Sequence, residues 1–267
     1  MRLFDTHAHF DGFAAEGTVG EVLSRAWAAG VERICAVGSS EASNELVAGL
    51  AQAHPDRIAA AVGYDRDQTD KPRDAGRLAE LAGQPGVAAI GEIGLDYYYS
   101  AETAPAQRGL FGEMLALALE RRRPVIVHSR YADADTAAML GEFSTAWKKV
   151  FHTMENPPPP GILHCFTGDA AFAEKLLALG FFISFSGIVS FNNAEPLREV
   201  ARGIPEDRLL VETDCPYLTP KPFRGKVNEP AYVARVAEVL AEARGAAPEA
   251  LAEATFANAA RVFQLEG

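Results

Sequence analysis

The sequence predicts a (β/α)8 TIM barrel with a metal site at the C-terminal face of its strands. Eight short apolar runs of strand character alternate with stretches of helical period, over a chain of 267 residues that suits this fold. Histidines and carboxylates recur just after these runs, and in a parallel barrel the C-terminal strand ends gather on one face. The alternative, an open doubly wound sheet, lacks its support here, because no Gly-x-Gly-x-x-Gly turn follows a strand.

The elements follow in order. The first strand, 3–7, is the Leu3-Phe4 run continued through Asp5-Thr6 to His7. The later strands are the apolar runs at 31–37, 58–62, 87–90, 125–127, 162–163, 181–185 and 209–211. Helical periodicity fills the intervals at 20–29, 41–53, 74–82, 105–121, 134–153, 170–178 and 195–202, and two further helices, 230–244 and 248–263, follow the last strand. One interval is unusually long. Phe143, Trp147, Val150, Phe151 and Met154 recur at helical spacing before Pro157-Pro158-Pro159-Pro160, so the helix is extended and stopped before the prolines. This segment follows a helix and precedes the sixth strand, which places it on the N-terminal face, away from the chemistry. With no internal repeat and no linker, residues 1–267 read as one domain.

Composition narrows the class. Hydrophobic residues make up 48% of the chain, as in a globular protein. No apolar run approaches the ~20 residues of a membrane span, and Met1-Arg2-Leu3-Phe4-Asp5 lacks the apolar core of a signal peptide, so a cytoplasmic protein with no membrane partner is expected. Three cysteines without close spacing argue against a disulfide framework. Cys165 and Cys215 each follow a candidate ligand and read as small, partly buried residues. The formal net charge of −11 disfavours non-specific coating of DNA, though it leaves room for a polyanion held locally by metal ions.

The candidate site is a set of strand ends. His7 and His9 lie two apart, so on an extended chain both face one ion. Glu92 follows the fourth strand, His128 the fifth, His164 the sixth and Asp214 the eighth. A single histidine after a strand is more often a loop residue than a ligand, but here all sit at the same place in the repeating unit. A catalytic metal takes three or four such ligands, so six candidates suggest two divalent ions sharing a carboxylate. Zinc, manganese and magnesium all suit a mixed imidazole and carboxylate set. His54, before Pro55, and His152, on the long segment, stand outside it.

Five motifs in order carry a resemblance: Asp5-Thr6-His7-Ala8-His9; Gly91-Glu92-Ile93-Gly94-Leu95-Asp96-Tyr97; Pro124 to Arg130; Leu163-His164-Cys165-Phe166-Thr167-Gly168; and Glu212 to Pro220 followed by Arg224-Gly225. In these the chain resembles the TatD family of metal-dependent deoxyribonucleases, within the amidohydrolase-like barrels. The resemblance spans nearly the whole chain. It implies hydrolysis of phosphodiester bonds in DNA, often at single-stranded 3′ ends, by a metal-activated water. It also implies that His7, His9 and Asp214 hold one ion, His128 and His164 the other, and that Glu92 bridges them. Asp214 would handle the water's proton. Some relatives instead remove D-amino acids from tRNA, so tRNA is the alternative substrate and a deacylase the alternative activity. The oligomeric state is open.

The sequence departs from the family's usual pattern in two places. Relatives often read Gly-x-His-Pro after the third strand, where this chain has Gly63-Tyr64-Asp65-Arg66, and Tyr131 stands where a small or acidic residue is common. For substrate contacts the reading favours Arg130 and Arg224 as phosphate-binding guanidiniums, and Tyr97 and Phe223 as stacking surfaces for bases.

Overall fold

The computed structural model describes residues 1–98 and 101–265. Strands covered on both faces read as unbroken apolar runs, and the eight runs become β1 (Leu3–Ala8), β2 (Val31–Val37), β3 (Ile58–Val62), β4 (Val87–Asp96), β5 (Val125–Arg130), β6 (Gly161–Leu163), β7 (Phe182–Phe185) and β8 (Leu209–Val211). Each pairs in parallel with the next, giving one sheet in sequence order. The seam between first and last strand is tied at the C-terminal rim. Ala8 bridges Cys215, the Asp214 amide donates to the His7 carbonyl, and the His9 amide donates to the Cys215 carbonyl, each at 2.9 Å. The sheet thus curls into a (β/α)8 barrel, joined where the candidate ligands lie.

The helices are α1 (Asp11–Ala15), α2 (Val19–Ala28), α3 (Glu41–Ala53), α4 (Ala75–Ala82), α5 (Ala104–Arg121), α6 (Asp133–Val150), α7 (Ala170–Ala178), α8 (Glu195–Gly203), α9 (Val233–Arg244) and α10 (Pro248–Val262). Several begin with a side-chain cap that satisfies a free amide: Asp74 accepts from the Arg77 amide at 2.9 Å and Asp169 from the Phe172 amide at 2.8 Å. The short α1 is absent from the sequence reading, and residues 230–232 form a 3₁₀ turn ahead of α9.

Two apolar shells hold the fold. Alternate strand residues point inward, where Ala59, Ala61 and Ala89 leave space for the rings of Phe4 and Phe182. Phe256 and Phe263, at the end of the chain, join this inner shell, their rings 5.8 and 5.4 Å from Phe4, so α10 plugs the N-terminal end of the barrel. The outer shell lies between strands and helices, with Ile34, Val62, Ile93 and Leu176 among its members.

The long segment before β6 behaves as its apolar stripe implies, with one exception. Phe143, Trp147 and Phe151 are buried, the Trp147 indole donates to the Pro158 carbonyl at 2.8 Å, and Ser144 donates to the Leu179 carbonyl at 2.8 Å. Pro160 accepts from the amide of Val125, the first residue of β5, which fixes the segment to the N-terminal face. The helix stops at Val150 rather than 153, and Met154 is half exposed.

Candidate metal centre

Two strands run past their expected ends. β4 continues through Glu92 to Asp96 and β5 through His128 to Arg130; His128 pairs with Gly94, and Glu92 sits at the break in register between Ile90 and Ile93. Glycine permits this. A Cβ on Gly91 would press against Ile126, and one on Gly94, at φ 140°, would collide with the His128 carbonyl. The Glu92 amide donates to the Gly38 carbonyl at 2.7 Å, which holds its side chain over the mouth.

The six candidates converge there. His7, Glu92 and His164 are buried, while His9, His128 and Asp214 are partly open. The cluster is divided by the two oxygens of Glu92. Oε2 lies 3.3 Å from His9 Nε2 and 3.6 Å from His7 Nε2, and the same two nitrogens lie 3.7 and 3.9 Å from Asp214 Oδ1. Oε1 faces the other half, 3.3 Å from His128 Nδ1 and 3.2 Å from His164 Nε2. Ligand atoms of His7, His9 and Asp214 fall within 4.8 Å of one another, as do those of His7, Glu92 and His164.

The outer nitrogens set the tautomers. His9 Nδ1 faces the Val37 carbonyl at 3.1 Å, His164 Nδ1 faces Glu212 Oε1 at 3.3 Å, and His128 Nε2 faces Asp96 Oδ2 at 3.3 Å. A carbonyl or carboxylate only accepts, so each outer nitrogen carries a proton, and the inner nitrogen is the one left to ligate an ion once any proton it shares with Glu92 is displaced. This is the outer arrangement of imidazoles that ligate metal ions, and the donor set fits a divalent ion on either side of Glu92.

With fold and geometry in place, comparison with known proteins decides the family. The model for "TatD related DNase" matches residues 4–264. The chain belongs to that family. It is similar to the metal-dependent hydrolase YcfH of Escherichia coli (strain K12), 44% identical over 100% of this chain and 97% of the relative. It is also similar to the 3′-5′ ssDNA/RNA exonuclease TatD of Citrobacter rodentium, 34% identical over 91% of this chain and 90% of that one. Among solved structures, the TatD homologue YJJV from Escherichia coli superposes with a TM-score of 0.86 at 30% identity, covering 99% of both chains. As a TatD-family protein this chain is a hydrolase.

The electrostatics of this TatD-family centre follow from its burial. Desolvation opposes charge on every member. It lowers the His7 imidazole to about 4, helped by the neighbouring His164, whose ring stacks on it at 3.9 Å. At His9 burial is outweighed by the hydrogen bond and charge of Glu92, and the imidazole rises to about 9. His164 is raised well above its ordinary value for the same reason, again against burial. Burial lifts the Asp214 carboxyl to about 6, while Glu92, despite burial, is held well below the carboxylate range by His164 and its other imidazole neighbours. The centre is a buried cluster of closely opposed imidazole and carboxylate charges.

Several residues of the TatD-family site went unassigned in the sequence. Glu212 anchors His164 and also accepts from the Cys165 amide at 2.7 Å, where the backbone is left-handed at φ 43°. Asp5 accepts from the Thr213 amide at 2.8 Å and clamps β1 to the loop carrying Asp214, itself left-handed at φ 55°. Glu212 had a signal, since it stands two residues before Asp214. The departure at Gly63-Tyr64-Asp65-Arg66 also has a destination. Arg66 pairs with Asp65, lies 3.4 Å from Glu92 Oε1 and 3.5 Å from Asp96 Oδ2, and so adds a guanidinium to the His128 half.

The four residues expected to meet substrate have other engagements. Tyr97 donates to Asp135 Oδ2 at 2.7 Å, Phe223 stacks on Tyr232 with ring centres 4.3 Å apart, Arg224 donates to the Thr219 carbonyl at 3.2 Å, and the Arg130 guanidinium lies 3.9 Å over the Tyr98 ring. Among the described residues no helix is long and apolar enough to cross a membrane.

Proposed function

We propose that this chain hydrolyses phosphodiester bonds at single-stranded ends of DNA, in the 3′ to 5′ direction, with two divalent metal ions, and that residues 1–267 act as one catalytic domain. The observation that carries this reading is the division of the cluster by Glu92, each oxygen facing its own set of imidazoles. His7, His9 and Asp214 would hold one ion, His128 and His164 the other, with Glu92 shared. Such ions supply positive charge against phosphoryl oxygens and make water acidic enough to attack near neutral pH.

The remaining work falls to side chains. Asp214, at the partly open rim beside His9, would take a proton from the attacking water. The Val37 carbonyl, Asp96 and Glu212 fix the rings of three imidazoles by their outer nitrogens, so the inner nitrogens already face the centre that an ion would occupy. Arg66 offers a planar guanidinium that suits a phosphate oxygen. The direction and the single-stranded preference rest on the Citrobacter relative, whose name states both.

The test is a parallel assay of the metal-reconstituted chain. Its substrates are single-stranded DNA with a free 3′ end, the same strand with that end blocked, duplex DNA, and D-aminoacyl-tRNA, with Mn²⁺, Mg²⁺ and Zn²⁺ each supplied. Release of mononucleotides from the free single strand is the expected result. Brisk deacylation without nucleotide release would reassign the site to the carbonyl of an aminoacyl ester.

A further inference from the structure

Three large aromatic side chains are exposed on the C-terminal rim: Tyr98 at 51%, Tyr131 at 74% and Tyr217 at 62%. They fall on two sides of the metal centre. Tyr217 follows β8, and its ring stands edge-on to the His9 ring with centres 6.3 Å apart, beside the half formed by His7, His9 and Asp214. Tyr98 and Tyr131 follow β4 and β5 beside the other half. Their rings stack with centres 5.3 Å apart and planes at 29°, the Arg130 guanidinium lies over Tyr98, and the Tyr98 amide donates to Asp96, the carboxylate that faces His128. Tyr131 takes φ 56°, so the chain turns sharply where its ring joins the pair.

The three rings present flat faces at the rim on either side of the centre. We propose that they form two base-stacking subsites flanking the scissile phosphate: Tyr217 receives the nucleobase on one side, and the Tyr98–Tyr131 pair, with Arg130, receives the nucleobase on the other. This rests on the phosphodiesterase reading and deepens it. Aromatic faces accept every base, so the subsites select unpaired strands without selecting sequence. Bases that diverge to opposite sides of the centre cannot remain stacked in a duplex, which makes strand separation a condition of productive binding. The cation over Tyr98 adds attraction for the adjoining phosphate.

The experiment compares kcat/KM on thymidine oligonucleotides that carry all bases with strands abasic on the 5′ side, the 3′ side or both sides of the scissile phosphate. The enzymes are the full chain, Tyr217→Leu and Tyr98→Leu/Tyr131→Leu, with Tyr→Phe counterparts and circular dichroism to check folding. Removing either base should cost the parent enzyme roughly tenfold, mostly in KM. Tyr217→Leu should become indifferent to removal on one side and the double variant to removal on the other, while the Phe variants keep the parent's sensitivity. Leu variants that retain that sensitivity, or that lose the same factor on fully abasic strands, overturn the proposal. Bis(p-nitrophenyl) phosphate separates the two levels. If the parent cannot hydrolyse it with any of the three metals, the phosphodiesterase reading fails. If it hydrolyses the diester but ignores the bases, only the stacking inference fails.

Discussion

Glu92 joins the halves of the centre, and its charge is irreplaceable by shape alone. Glu92→Gln keeps the volume and removes the anion that both sets of imidazoles face. We expect it, like His128→Ala and Asp214→Asn, to lose roughly 10³-fold or more in turnover with an unchanged circular dichroism spectrum. Glu212→Gln tests the outer layer. It keeps an acceptor for His164 but weakens it, and metal affinity should fall about 10- to 100-fold, measured by competition with a chromogenic chelator. The same residues set a pH dependence. In the ion-free protein His9 holds its proton up to about pH 9 and Asp214 up to about pH 6. An ion must displace those protons, so affinity should rise with pH from 6 to 9, by roughly tenfold per unit for each proton released. Calorimetry in buffers of different ionisation enthalpy counts them, and an affinity flat across this range would contradict the assignment. The convergence of the six cluster residues was legible because residue type and strand-end position recur together along the chain. Glu212, Asp96 and the Asp65-Arg66 pair were not assigned roles, because each acts on a partner carried by a different strand.

At the scale of elements, what the sequence hid was mostly glycine's work. Gly91 and Gly94 look like strand breakers, so the fourth strand reads as ending at 90. In the barrel they let β4 lie against β5 with no Cβ to collide with Ile126 or the His128 backbone, and the strand continues to Asp96. The remaining strands were legible because a buried parallel strand has no polar alternation to confuse the reading. The end of α6 shows the opposite limit. The apolar spacing continues past Val150, but the helix does not, since Phe151 and the prolines turn back so that Pro158 can accept from Trp147. Trp147 is therefore a structural anchor. Trp147→Ala should lower unfolding free energy by about 3–5 kcal/mol through lost packing, while metal content stays near that of the parent because the segment lies on the far face. Chemical denaturation and elemental analysis measure the two effects separately. A variant of parental stability would show that the stripe carries little of the fold's energy.

The whole molecule is acidic, whereas the proposed substrate is a polyanion. A net charge of −11 means that a nucleic acid meets repulsion over most of the surface. In the proposed mode attraction is confined to the mouth, where the metal ions would sit near Arg66 and Arg130. That confinement fits an enzyme that handles the end of a strand and not its length: only the phosphates threaded into the mouth are neutralised, and the rest of the chain is held off. Its signature is salt dependence. For single strands the logarithm of affinity falls with the logarithm of salt by about 0.7 per phosphate neutralised. Two phosphates in the mouth give a loss of roughly sevenfold between 50 and 200 mM monovalent salt at fixed metal concentration. A duplex-coating protein with six to ten contacts loses about 10³- to 10⁵-fold over the same range. Measuring KM for an end-labelled single strand across these salts distinguishes the two regimes. A fall of a hundredfold or more would place a basic footprint well beyond the mouth and refute an end-only mode of binding.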